Sequence, residues 1–190
     1  AGHCEGAEIE KNGEAFVIRD DRPLDAHGFA LRINDEEYRL LAKLEAAENC
    51  VCLKERADFA LGIVTGDNKR YLSNECLDGM EPVVTGSDVY RYRYQDSGKY
   101  MDPDLGLYQQ AAPAKFYRAP EKLIYRFINR QLVFAYDDRQ RLTLNSCNVV
   151  IPRVERLDMK YIMAVLNSRV AQYMYEKRYH VVKVLRSHIE

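Results

Sequence analysis

Three runs rich in β-branched and aromatic residues, Leu123 to Phe127, Gln131 to Tyr136 and Leu142 to Ile151, follow one another closely, the last two parted by Asp137-Asp138-Arg139-Gln140. Runs of this length bounded by turn residues read as strands, so they predict a β-meander. Downstream the period changes. Asp158 stands at a favoured helix N-cap position, and Ile162, Val165, Leu166, Val170, Tyr173 and Met174 recur at helical spacing to about residue 177, which predicts one apolar-faced helix packed on the core. Strands followed by a helix, rather than alternating with helices, predict an α+β fold with a mixed or antiparallel sheet.

The upstream half carries turn chemistry. Phe59 to Tyr71 reads as an apolar strand entering a Gly66-Asp67-Asn68 turn, and Pro82 to Val89 repeats the apolar-then-Thr-Gly form. Residues 95 to 121, rich in Gly, Pro, Asp and Gln, predict long loops. Nearer the start, Ala15 to Ile18 and Phe29 to Ile33 flank Asp20-Asp21-Arg22-Pro23 as two short strands. Asn34 with Glu37 then has the form of a capping box ahead of a helix over 35 to 48 that buries Leu40, Leu41 and Leu44. The division expected is an acidic lobe over 1–49 and a main domain over 50–190. A first residue of Ala1 rather than Met is what a piece of a longer polypeptide would show.

Composition narrows the function classes. With 47% hydrophobic residues and no apolar run near the ~18 residues that span a bilayer, the expectation is a soluble cytoplasmic protein without a membrane partner. The cysteines, Cys4, Cys50, Cys52, Cys76 and Cys147, are odd in number and scattered, which predicts reduced thiols, and Cys50-x-Cys52 has no second ligand pair at zinc spacing. Net charge is −1, yet it is unevenly spread. Residues 1–60 hold 8 Lys/Arg against 14 Asp/Glu (−6), residues 61–110 hold 5 against 8 (−3), and residues 111–190 hold 15 against 7 (+8). A chain polarised in this way can present a cationic face to a phosphate backbone, or its charges can interleave in three dimensions.

Motifs for chemistry are missing. There is no Pro-Pro dipeptide for an Asn-Pro-Pro-Tyr loop, no Phe-x-Gly-x-Gly and no Gly-x-Ser-x-Gly. The Gly62 to Lys69 segment lacks the order of a phosphate-binding loop and precedes no helical pattern. Pro103-Asp104 with Asp158-Met159-Lys160 fits the letters of a Mg²⁺-dependent nuclease, but Asp158 is better explained as a cap. No catalytic and no metal-ligating residue is expected.

One ordered set of segments resembles a known family. Leu61 to Lys69, Pro82 to Tyr92, Lys122 to Arg126, Leu142 to Ser146 and Tyr161 to Ser168 look like the TaqI-like C-terminal specificity domain of type II restriction-modification enzymes and related adenine-specific DNA methyltransferases, over about residues 50 to 190. The resemblance implies a non-catalytic domain that holds duplex DNA opposite a methyltransferase domain of the same polypeptide and selects the sequence. The parent would use S-adenosylmethionine, and Mg²⁺ if it also carries a nuclease domain. A protein-interaction or structural domain is the alternative, with a Mg²⁺-dependent nuclease fragment behind it.

If DNA is bound, cations should sit on phosphates while Arg, Asn and Gln address base edges. Asn68, Lys69 and Arg70 follow the Gly66 turn and are either groove contacts or solvated loop charges. Tyr90-Arg91-Tyr92-Arg93-Tyr94 alternates, which on one strand places Arg91 and Arg93 on one face and three tyrosines on the other. Lys115, Arg118, Lys122, Arg126 and Arg130 form the densest basic run and are expected in one concave strip on phosphates. Asn145 is either a reader at a strand end or a side chain satisfying its own turn.

Overall fold

The computed structural model describes residues 5–11, 13–19, 22, 33–48, 50–179 and 183–189. The architecture is α+β, and it divides into two compact units, Ala1–Val51 with Tyr173–His180, and Cys52–Gln172 with Val181–Glu190.

In the first unit β1 (Glu8–Lys11) and β2 (Glu14–Val17) form an antiparallel hairpin. Helix α1 (Asp35–Glu45) starts on the capping box expected, with the Asn34 side chain accepting from Glu37 N at 2.9 Å. It ends three residues earlier than the sequence pattern suggests, and it buries Leu41 while Leu40 is exposed and Leu44 half-buried. Arg22 is buried, its guanidinium 2.8 Å from Asp35 and stacked 4.7 Å from the Tyr38 ring. The strand expected over 29–33 lies almost wholly outside the described residues.

The second unit holds the remaining sheets. Its strands are β3 (Ala57–Ala60), β4 (Glu81–Val84), β5 (Val89–Tyr90), β6 (Arg93–Tyr94), β7 (Tyr100–Met101), β8 (Lys122–Arg126), β9 (Phe134–Asp137), β10 (Leu142–Thr143) and β11 (Cys147–Pro152). Short helices α2 (Asn68–Tyr71) and α3 (Ala114–Tyr117) interrupt them and α4 (Met159–Leu166) follows, while α5 (Arg169–Arg178) is divided between the two units at Tyr173. A four-stranded antiparallel sheet runs β3-β11-β8-β9, a three-stranded sheet runs β10-β4-β7 with β10 parallel to β4, and β5-β6 is a hairpin. The period-2 alternation of β4 sends Val83 into a core with Met101, Tyr117 and Leu142, and Val84 into a second core with Val89, Ile124 and Ala135. One strand thus ties both cores together.

Five local expectations need correction. Leu142 to Ile151 is two strands in different sheets, because Leu144-Asn145-Ser146 turns the chain, with Cys147 N donating to Leu144 O at 2.9 Å. Tyr90 to Tyr94 is a hairpin, not one strand, turned at Tyr92 with φ 75°. The stretch 95–121 contains β7 and α3 as well as loops, and a helical turn, α2, does follow Gly66. The long C-terminal helix is broken at Asn167-Ser168, and Val165 and Val170 are exposed rather than core.

Asn167 supplies the reason for that break. It is buried, and its amide donates to Phe134 O at 2.9 Å while accepting from Phe134 N at 3.0 Å, bonding the edge of β9 as a strand neighbour would beside Tyr92, whose N–H also donates to Phe134 O at 2.8 Å. Ser168 then starts α5, its hydroxyl accepting from Ala171 N at 3.1 Å. Asn167→Ala strands Phe134 N, whereas Phe134 O keeps its bond from Tyr92 N at 2.8 Å. A buried unmet donor costs ~1–3 kcal/mol, so a loss of that order in urea unfolding is expected, and Asn167→Asp should restore little of it because a buried carboxylate would face Phe134 O.

Burial also moves the tyrosines. Desolvation raises the phenols of Tyr94, Tyr117, Tyr125 and Tyr175, and that of Tyr108 to about 12. A phenol raised in the fold keeps a proton that the unfolded chain loses near pH 10. The corresponding stability is present below pH 10 and lost as pH climbs through the folded values. Denaturation midpoints should fall between pH 9.5 and 12, with tyrosinate absorbance at 295 nm showing a late class that vanishes in denaturant. A single class near pH 10 in the folded protein would contradict these environments.

Candidate nucleic-acid interface

Three turns of the second unit converge. The turn at Gly66 carries Asp67, whose carboxylate caps α2 by accepting from Lys69 N at 3.0 Å and Arg70 N at 3.2 Å. Thr65 Oγ1 bonds Asn68 Oδ1 at 2.6 Å and fixes that amide. A 3₁₀ turn, Gly86–Asp88, follows β4, with the Asp88 carboxylate accepting from Thr85 N at 3.0 Å. The third turn, Leu144 to Ser146, is fastened to both: Asn145 N donates to Ile63 O at 3.0 Å, Leu144 N to Val84 O at 3.0 Å, and Gly86 N to Ser146 Oγ at 2.8 Å.

Two glycines allow this closeness. A Cβ on Gly62 would lie 2.1 Å from Leu144 O, and one on Gly86 would lie 2.5 Å from Ser146 O. Neither backbone oxygen can yield without moving the third turn. Gly62→Ala is therefore expected to cost roughly 1–3 kcal/mol, the usual range for overpacking, measurable as a lowered urea midpoint. An unchanged midpoint would show that the turns are not locked together.

Between the turns lies a cleft of about 530 Å³ lined by Asn68, Lys69, Leu72, Asn74, Thr85, Lys99, Leu144, Asn145 and Ser146. No carboxylate lines it among the described residues, and Lys69 and Lys99 make no ion pair there. The Asn145 side chain is exposed and makes no hydrogen bond within the described protein, so it does not satisfy its own turn. Lys99 is held by its backbone, its carbonyl accepting from Val83 N at 3.0 Å and its N–H donating to Ser97 Oγ at 3.0 Å.

A second group adjoins the first along the chain. After the Gly86–Asp88 turn, Tyr90 is 39% exposed, its ring flanked by Arg93 at 5.5 Å and Arg126 at 5.6 Å from the ring centroid. Arg126 is further oriented by donating Nε to Val89 O at 2.7 Å, and Phe127 N bonds Ser146 O at 3.0 Å, which links this group to the cleft turn. Arg91 is exposed at the hairpin turn beside them.

The remaining cations do not gather. Lys122 is fully buried, ion-paired with Asp137 and donating to Tyr117 O at 2.6 Å, so it belongs to the core and cannot touch phosphate. Burial is the largest influence on its ammonium and lowers its pKa, and the pairing with Asp137 opposes it. Arg118 is held bidentately by Glu81 at 2.7 and 3.0 Å. Lys115 is exposed over Phe116 at 5.1 Å, Arg70 lies over Tyr71 at 5.1 Å, and Arg130 is exposed on the β8–β9 loop. The single concave strip expected of the basic run is absent; in its place stand the cleft and the Tyr90 cluster. Sequence reasoning found Asn68, Lys69 and Asn145 but missed Lys99 and Asn74, which sit far away in the chain with no local signal.

Among the described residues no helix is long and apolar enough to cross a membrane. No curated protein matches the chain. Residues 81–190, more than half of the sequence, match the TaqI-like C-terminal specificity domain, and the 144–146 turn, the Tyr90 cluster, Lys99 and Asn167 all lie inside that span. The chain belongs to the TaqI-like C-terminal specificity domain family.

Proposed function

We propose that the chain binds duplex DNA sequence-specifically and, as the specificity domain of a restriction-modification enzyme, leaves methyl transfer and any cleavage to other domains. The cleft carries this reading. Two lysines and three asparagines, with no carboxylate lining the concavity and no ion pair to either lysine among the described residues, combine phosphate attraction with amide groups that can address base edges. The Tyr90 cluster adds Arg91, Arg93 and Arg126 as further phosphate or groove contacts. The methyl donor would be S-adenosylmethionine, held by a methyltransferase domain of the same polypeptide, and Mg²⁺ would serve only a nuclease domain. The setting would be the cytoplasm, where the genome is accessible.

One observation favours a protein contact in addition. Leu157, Tyr161 and Val165 stand at four-residue spacing along α4 and its approach, all exposed, as a face suited to another domain. Fluorescence anisotropy with a random-sequence duplex in low salt tests the main reading. Saturable binding in the micromolar range or tighter is expected, and no binding at tens of micromolar would leave only the protein contact.

A further inference from the structure

From the geometry of the cleft we infer that Asn145 reads an adenine in the major groove; this rests on the duplex-binding reading above. The side chain stands at the tip of a turn whose backbone is fixed by three hydrogen bonds: Asn145 N to Ile63 O at 3.0 Å, Leu144 N to Val84 O at 3.0 Å and Cys147 N to Leu144 O at 2.9 Å. Its amide is exposed and bonded to nothing within the described protein. A donor and an acceptor side by side on a preorganised backbone match one base edge, the adenine N6 amino group and N7. The neighbouring chemistry argues against the other bases. Cytosine asks for a carboxylate acceptor and guanine for a bidentate arginine, and neither residue type lines the cleft among the described residues. Lysine can also address guanine, so a guanine preference is the rival outcome. Lys69 and Lys99 flank the same concavity as charges for the phosphates on either side of the base. Asn68 is less free to read, since Thr65 engages its Oδ1 at 2.6 Å.

The test uses the whole chain and a randomised duplex pool. The wild type should enrich adenine at one position or more, and Asn145→Ala should lose the preference at one such position while keeping the others. Loss of the bidentate pair should weaken that site by about 5- to 150-fold. Replacing that adenine with 7-deazaadenine, which removes N7, should weaken the wild type about 10-fold or less, since one of the two hydrogen bonds survives, and should leave Asn145→Ala nearly unchanged. Melting temperatures of the two proteins should agree, because the removed amide is exposed and unbonded. An Asn145→Ala profile identical to wild type, or a lost position that is guanine, overturns the inference while duplex binding stands. A wild type that binds no duplex overturns the reading beneath it as well.

Discussion

Replacing Asp137 with alanine is expected to destabilise the second unit by roughly 3–5 kcal/mol, the range for breaking one side of a fully buried ion pair. Both Lys122 and Asp137 have side chains with no solvent exposure. The carboxylate also accepts from Tyr94 OH at 2.7 Å, Arg139 N at 3.0 Å and Arg141 N at 3.1 Å, so its removal leaves a buried ammonium with only Tyr117 O and no counter-charge, and takes the acceptor from a phenol and two backbone donors. Asp137→Asn keeps the shape and one acceptor and should lose less. Lys122→Met with Asp137→Leu removes the charge problem but leaves Tyr94 and the two amides unmet, so rescue should be partial. Because Tyr94 ends the hairpin bearing Arg91 and Arg93, the alanine variant should also weaken DNA binding beyond what its unfolded fraction explains. A urea midpoint within error of wild type would contradict the hub.

Removing both cleft lysines, Lys69→Ala with Lys99→Ala, should weaken binding to any duplex by on the order of 50-fold at 0.1 M salt. This follows from about 0.9 condensed counterions released per neutralised phosphate, or nearly tenfold per contact at that salt. Both side chains are exposed and make no ion pair among the described residues, so stability should stay within about 0.5 kcal/mol. The salt slope should fall by about 2 and the ranking of sequences should persist, because phosphate contacts carry no base information. Lys122→Arg, by contrast, should lower stability without changing the slope.

What the sequence disclosed and what it hid follow from the range of the forces involved. The Asn34–Glu37 capping box and the Asp158 cap are local hydrogen bonds and stand as the spacing predicts. β8 and β9 are legible because an apolar run must be buried. The break at Asn167 is not, since it depends on the backbone of Phe134, 33 residues earlier in the chain. Lys122 reads as a surface cation in a basic run and becomes a core ion only because Asp137 lies opposite it across the β8–β9 ladder. The cleft was half visible: Asn68 and Lys69 follow a glycine turn, whereas Lys99 reaches the site through the pairing of Val83 with its own backbone.

Duplex binding of the kind proposed requires these cations to meet phosphates. Anisotropy titrations of one labelled duplex from 0.05 to 0.3 M salt test it most directly. If Lys69, Lys99, Arg91, Arg93 and Arg126 each neutralise a phosphate, log K should fall against log salt with a slope of about −4 to −5. A slope near zero would mean that these side chains meet no phosphate backbone.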